Sequence, residues 1–283
     1  MELALGTVQF GLRYGSANAG PIPTPVAREI LHRASELGVR MVDTAAVYGD
    51  IEERLAELIH GLPLAVVSKL PPRPKGLRGE ALSDWTSKHS HRAFQRLGAR
   101  LSALLFHRAD DLLDDDSEHA WDAATQVAQE YGFSLGVSTY GPSDLLRVCQ
   151  RHPVAVAQLP GNAFDRSMLQ ATEVGCTLHL RSAFLQGLLL LPEALGGQRL
   201  PAAATALARW HTWCRERDMS PLVAALGCAK SLPASYCVVG VDSLVQLEQI
   251  ALAWHRAPII NAPELSVTER AIVDPRVWQI AFK

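Results

Sequence analysis

Short, mostly apolar runs recur along the chain, and most are followed by a longer stretch whose apolar positions repeat every three to four residues. The runs predict strands at Leu3–Val8, Arg40–Asp43, Ala65–Ser68, Ala103–Phe106, Ser134–Val137, Val154–Gln158, Thr177–Arg181 and Tyr236–Val239. The periodic stretches predict helices near Thr24–Leu37, Glu52–Ile59, Gly79–Leu97, Ser117–Tyr131, Pro142–Cys149, Ser167–Val174, Ala202–Arg217 and Ser243–Ala253. Runs such as Ala155-Val156-Ala157 and Val238-Val239 are apolar at successive positions, as expected of strands covered on both faces. Thr24-Pro25 reads as a helix cap followed by proline in the first turn, and Leu37-Gly38 as the matching glycine stop, with Ser143 and Ser167 as further candidate caps.

Eight strands alternating with eight helices imply a parallel sheet, and eight such units in about 250 residues imply a closed (β/α)8 TIM barrel. The 283 residues would also accommodate two domains, but no linker divides them, so one domain over residues 1–283 is expected. An open doubly wound sheet would carry a glycine-rich first turn, and Gly6-Thr7-Val8-Gln9-Phe10-Gly11 does not match G-x-G-x-x-G. Pro71-Pro72-Arg73-Pro74 and Leu191–Pro201 read as long loops after the third and seventh strands, on the face where barrels build their sites.

Composition narrows the function classes. With 48% hydrophobic residues, 20% charged and a net charge of -2, the chain is neither disordered nor equipped with the basic surplus that nucleic-acid binding needs. Five scattered cysteines without a C-x-x-C pair indicate neither a disulfide framework nor a zinc site. No basic leader is visible, and apolar runs such as Leu188–Leu191 fall far short of the roughly 20 residues that span a bilayer, so a cytoplasmic protein without a membrane partner is expected.

Three consecutive predicted strand ends carry titratable groups: Asp43, with Tyr48 in the loop beyond it, then Lys69, then His107. A phenol with a solution pKa of about 10 is a reluctant acid. A buried ammonium beside it favours the phenolate, a carboxylate keeps the ammonium charged and placed, and a neutral imidazole orients a carbonyl oxygen. The set suits hydride addition to a carbonyl, where a new alkoxide needs a proton.

These residues sit within segments that resemble the aldo-keto reductase family over nearly the whole chain. The segments are Leu5–Gly11, Gly38–Ala45 with Tyr48-Gly49, Ser68-Lys69-Leu70, Leu105–Arg108, Gly136-Val137-Ser138, Arg181–Gly187 and Val239–Ser243. The opening stretch and the Phe184-Leu185-Gln186-Gly187 turn are most similar to the bacterial branch associated with polysaccharide and sugar-modification genes. The resemblance implies Asp43, Tyr48, Lys69 and His107 as a catalytic tetrad, a nicotinamide cofactor, a small carbonyl or alcohol substrate and no metal. It implies Ser138 and Gln158 at the nicotinamide carboxamide, Thr7 near the ring, Ser182, Leu185 and Gly187 along the pyrophosphate, and Gly240, Asp242, Ser243 and Gln246 at the adenosine end.

Three departures bear on that transfer. Thr139 stands where many members have asparagine. Arg181 stands where many stack an aromatic ring on the nicotinamide, and its planar guanidinium would also add positive charge. At the adenosine end Asp242 and Ser243 replace the Lys or Arg that grips a 2′-phosphate. NADP(H) is therefore the family's expectation, while the Asp242 carboxylate favours a free 2′-hydroxyl and makes NAD(H) an alternative. The expected activity is reduction of an aldehyde or ketone, including a sugar-derived one, with Tyr48 donating the proton. The competing readings are a cofactor-binding accessory protein with little turnover, and a reversible redox step within a sugar epimerisation or dehydration.

Other motifs have simpler readings. His89-Ser90-His91 falls mid-helix, where residues two apart face different sides. Asp110-Asp111 and Asp114-Asp115-Asp116 read as a solvated turn and helix start. Trp210 and Trp213 read as packing residues, and the cysteines as small buried apolar groups.

Overall fold

The structure is a computed structural model that describes residues 1–14 and 20–278. Eight parallel strands pair in sequence order and close on themselves, β1 bonding both β2 and β8. They are β1 Glu2–Gly6, β2 Met41–Asp43, β3 Ala65–Lys69, β4 Leu101–Phe106, β5 Ser134–Ser138, β6 Val156–Pro160, β7 Thr177–Arg181 and β8 Tyr236–Gly240. Around them lie α1 Val8–Gly11, α2 Thr24–Glu36, α3 Ile51–Leu58, α4 Gly79–Leu97, α5 Ser117–Tyr131, α6 Pro142–Cys149, α7 Glu193–Arg199, α8 Ala204–Glu216, α9 Pro221–Lys230, α10 Leu244–Arg256 and α11 Arg270–Val273. The expected (β/α)8 barrel is the fold, and none of the described helices is long and apolar enough to cross a membrane.

Several boundaries differ from the sequence expectation for local reasons. β1 stops at Gly6 because Thr7 turns away, its backbone N–H and its hydroxyl both donating to the Asp43 carbonyl, at 2.9 and 3.1 Å. Thr24 is the first residue of α2 and not its cap, which is Pro23, and the Thr24 hydroxyl accepts from Arg54 instead. Neither Ser143 nor Ser167 caps a helix: α6 is preceded by Gly141, and after β6 there is only a 3₁₀ turn at Ser167–Ala171, held by Asp165 Oδ1 accepting from the Ser167 N–H and hydroxyl.

Between β7 and β8 the chain builds three helices where one was expected. Part of Leu191–Pro201 is helical as α7, and α9 was missed altogether. α9 is buried at six successive positions from Ala224 to Ala229, so it has no apolar stripe and no period to detect. Its start is marked instead by Ser220, whose hydroxyl accepts from Val223 N.

The apolar surface falls into three bodies. Ala4, Met41, Val67, Ala103, Leu105 and Val156 fill the barrel interior. A large core separates the sheet from its helical ring, and a second outer core gathers around α8 and α9. Trp210 and Trp213 belong to this outer core, stacked at 6.2 Å, with their indole N–H groups donating to the Leu189 carbonyl and to Glu264.

Two polar clamps brace the strand ends. Glu52 of α3, only 2% exposed, accepts from Ser68 of β3 and from Arg96 of α4 at 2.8 Å, tying two outer helices to the strand that carries Lys69. The acidic run is not merely solvated. Asp114 pairs with Arg73 at 2.8 Å, Asp111 accepts from the Arg73 N–H and Asp116 from the Gly79 N–H, so the proline-rich loop is fastened to the segment after β4.

Gly136 in β5 sits where a Cβ would lie 1.9 Å from the Val156 carbonyl oxygen and 2.6 Å from a Leu105 methyl. Neither strand backbone can yield without breaking the ladder. Gly136→Ala is expected to destabilise the barrel by about 3 kcal/mol, a fall of about 9 °C in Tm on thermal denaturation. An unchanged Tm would contradict this packing.

Candidate active site

The C-terminal strand ends form one rim, with Gly6, Asp43, Lys69, Ser138, Arg181 and Gly240 all closing their strands. His107 follows the last residue of β4, and Tyr48 stands in the β2–α3 loop. That loop is stitched to β3 by Thr44 N–H to Val67 O at 2.8 Å and Ala46 N–H to Lys69 O at 3.0 Å. It also packs against α1 at backbone distance: a Cβ on Gly11 would meet the Tyr48 carbonyl oxygen at 1.8 Å, and one on Gly49 would meet the Gly11 oxygen at 2.5 Å.

Lys69 is 1% exposed, and its ammonium donates to both Asp43 carboxylate oxygens at 2.7 Å and to the Thr44 carbonyl at 3.0 Å. Those three bonds use all three of its protons. Asp43 Oδ2 also accepts from the Gln158 amide at 2.7 Å. Lys69 Nζ lies 5.5 Å from the centre of the Tyr48 ring, and His107 meets the same ring edge-on with centroids 6.1 Å apart. The structure therefore brings Asp43, Tyr48, Lys69 and His107 into one cluster.

Electrostatically, burial pushes the Lys69 pKa down while Asp43 holds it up. His107 is driven down to about 3 by burial first and then by the charges of Lys69, Arg181 and Arg108, so its imidazole is neutral. The Tyr48 phenol is raised above its ordinary value by burial and by Asp43, and the cation opposing this rise is Arg181. The expectation was that Lys69 depresses that phenol; burial and Asp43 act in the opposite direction.

The cluster lies at the wall of a cavity of about 560 Å³. Among the residues expected at a cofactor, Thr7, Ser138, Gln158, Arg181, Ser182, Gly187, Gly240, Asp242 and Gln246 line it. Leu185 and Ser243 do not. Leu185 has a left-handed backbone at φ 48° and its fully buried side chain joins the outer core, while the Ser243 hydroxyl caps α10 by accepting from Gln246 N at 3.2 Å. Gln246 in turn accepts from the Asp242 N–H through its side chain.

Lining residues that sequence reasoning missed include Gln9, Tyr14, Tyr140, Phe184, Gln186 and Gln249. Tyr14 and Gln186 join two loops across the cavity, the amide donating to the phenol oxygen at 2.6 Å. Tyr140 carries two guanidinium groups against its ring, Arg181 at 4.2 Å and Arg276 at 3.6 Å. Most of these sit in aperiodic loops, and the one available signal was their nearness to a predicted strand end.

The depressed His107 has a consequence for stability. A histidine near 6.5 when unfolded and about 3 when folded takes up protons first in the unfolded state, so its contribution is lost as pH falls through 6.5 toward 3. At pH 5 that loss is about 2 kcal/mol relative to neutral pH. His107→Asn is expected to show a flatter dependence of Tm on pH between 6.5 and 4 than the parent chain. Identical slopes would mean that His107 titrates normally.

A family model described as "Aldo/keto reductase family" matches residues 2–260. No curated protein matches the chain in sequence. Among solved structures, the holo form of aldo-keto reductase AKR11C1 from Bacillus halodurans superposes with a TM-score of 0.71 at 19% identity, covering 93% of this chain and 89% of that one. The glycerol dehydrogenase AKR11B4 from Gluconobacter oxydans gives a TM-score of 0.66 at 18% identity, covering 95% and 88%. At those identities the likeness speaks for the barrel alone, whereas the family model spans most of the sequence, and on that ground the chain belongs to the aldo/keto reductase family.

Proposed function

We propose that this chain reduces an aldehyde or ketone to the alcohol with a nicotinamide dinucleotide, Tyr48 donating the proton. The observation that carries this reading is the convergence of Tyr48, His107 and the Lys69–Asp43 pair at the wall of one cavity. The raised phenol stays protonated well above neutral pH, which is the form a proton donor needs. His107, neutral and held edge-on to Tyr48, is placed to donate to the same carbonyl oxygen as charge develops there. Lys69, with every proton committed, acts as a fixed positive wall that favours the incipient alkoxide.

The cavity wall has features that fit a dinucleotide. Gln9 lines it, and its Oε1 has no hydrogen-bond partner among the described residues, so a donor N–H from a ligand would satisfy it. From Ser182 to Gly187 four residues are left-handed, three of them not glycine, a strained turn of the kind found where backbone approaches a ligand. Ser138, Gln158 and Thr7 are the groups for the nicotinamide end, with Arg181 lining the cavity beside them. Ser182 and Gly187 would follow the pyrophosphate, and Gly240, Asp242 and Gln246 the adenosine. When bound, the nicotinamide supplies the hydride to the carbonyl carbon. Asp242 at the adenosine end disfavours a 2′-phosphate, and NADH is the cofactor we assign.

Tyr48→Phe is expected to reduce kcat at least a thousandfold on an aldehyde panel while leaving the NADH dissociation constant within threefold. Turnover at the parent rate would remove Tyr48 from the reaction. Fluorescence titrations with NADH and NADPH side by side are expected to show NADH binding at least as tightly. NADPH bound tenfold tighter would refute the role given to Asp242.

A further inference from the structure

Arg181 carries the one guanidinium among the described residues that line the cavity, and no carboxylate among the described residues pairs with it. The other charges at this end are spoken for. Asp43 is held by Lys69, and Asp165, whose charge also feels Arg181, commits its Oδ1 to Ser167. Arg276, on the same tyrosine, is neutralised by two contacts to Asp274 at 2.9 and 2.8 Å. Among the described residues, Arg181 is the cation lining the cavity that no carboxylate pairs.

Its orientation is fixed. Its guanidinium carbon lies over the Tyr140 ring at 4.2 Å, Nη2 donates to the Thr139 carbonyl at 3.0 Å and Nη1 donates to the Ser182 hydroxyl at 3.4 Å. A guanidinium has five N–H donors, so three remain for a ligand. Donors set in that planar fork are the kind that meets a carboxylate or phosphate two-pronged. The group is close enough to the reacting centre for its field to act on Tyr48, Tyr14 and His107.

We propose that the carbonyl substrate bears an anionic group, a carboxylate or phosphate, and that Arg181 selects it. This deepens the carbonyl-reductase reading and rests on it. A neutral carbonyl would leave the guanidinium fork unmatched, whereas an anion would fill it by charge-assisted bonds that a neutral isostere cannot make.

The test compares 4-oxobutanoate with its methyl ester, and glyoxylate with methyl glyoxylate, as substrates of the full chain with NADH. The acids are expected to exceed the esters at least tenfold in kcat/KM, mainly through KM. Arg181→Gln should bring the ratio near one, and Arg181→Lys should keep part of it. Equal rates for acid and ester in the parent chain would overturn the inference while leaving the reductase reading intact, as would a preference that survives Arg181→Gln.

The diphosphate of the cofactor is the other anion the fork could serve. A tenfold loss of NADH affinity in Arg181→Gln with an unchanged acid-to-ester ratio would assign the fork to the cofactor and overturn the inference. Calorimetric titration with succinate and dimethyl succinate, with and without NADH, makes the comparison without turnover. Tighter succinate binding that persists with NADH present supports a substrate subsite, even if no aldehyde is reduced. Succinate binding no tighter than its diester, or abolished by NADH, overturns it.

Discussion

The site hangs on one buried ion pair. An ammonium on β3 and a carboxylate on β2, both nearly inaccessible to water, meet at 2.7 Å in a double contact. Two isolated charges in such surroundings would be prohibitively costly, and they are tolerable only because each is fully bonded. Lys69 spends its third proton on the Thr44 carbonyl, and Asp43 receives a further amide hydrogen from Gln158 on the far side of the barrel. The pair thus staples three strands across the barrel. It contributes less to net stability than an apolar pair of equal volume would, and its effect is to fix where a positive charge stands beside a phenol.

The geometry around that pair is set by backbone contacts as much as by side chains. α1 and the Tyr48 loop approach so closely that only glycine fits at positions 11 and 49, and the loop is hydrogen-bonded along β3. Behind β3, Glu52 joins Ser68 to Arg96, so the strand bearing Lys69 is gripped from inside and outside the barrel. Tyr48 therefore depends on elements drawn from the first three β/α units, although it belongs to only one loop.

What the sequence disclosed follows from where information is periodic. Strand ends such as Asp43, Lys69 and Arg181 could be located because apolar runs have clear limits, and the barrel followed from their alternation with helices. α9 escaped because a helix buried all round has no stripe. Leu185 carries its side chain into the outer core from a left-handed backbone, a placement that no pattern of residue types announces. Tyr14, Tyr140 and Gln186 reach the cavity from loops, where position depends on tertiary contacts: a cross-cavity hydrogen bond for the first and third, a stack of guanidinium groups for the second. The charge balance was legible in kind but not in detail, since the distances among Lys69, Asp43 and Tyr48 are a matter of ångströms.

The contact of Arg276 with Tyr140 gives the order of synthesis a structural meaning. The tyrosine follows the fifth strand, while the arginine comes well after the eighth strand has ended at Gly240. A growing polypeptide can close all eight strands before that arginine leaves the ribosome. The cluster of Asp43, Tyr48, Lys69 and His107 and its barrel can thus form in a nascent chain before Arg276 reaches Tyr140.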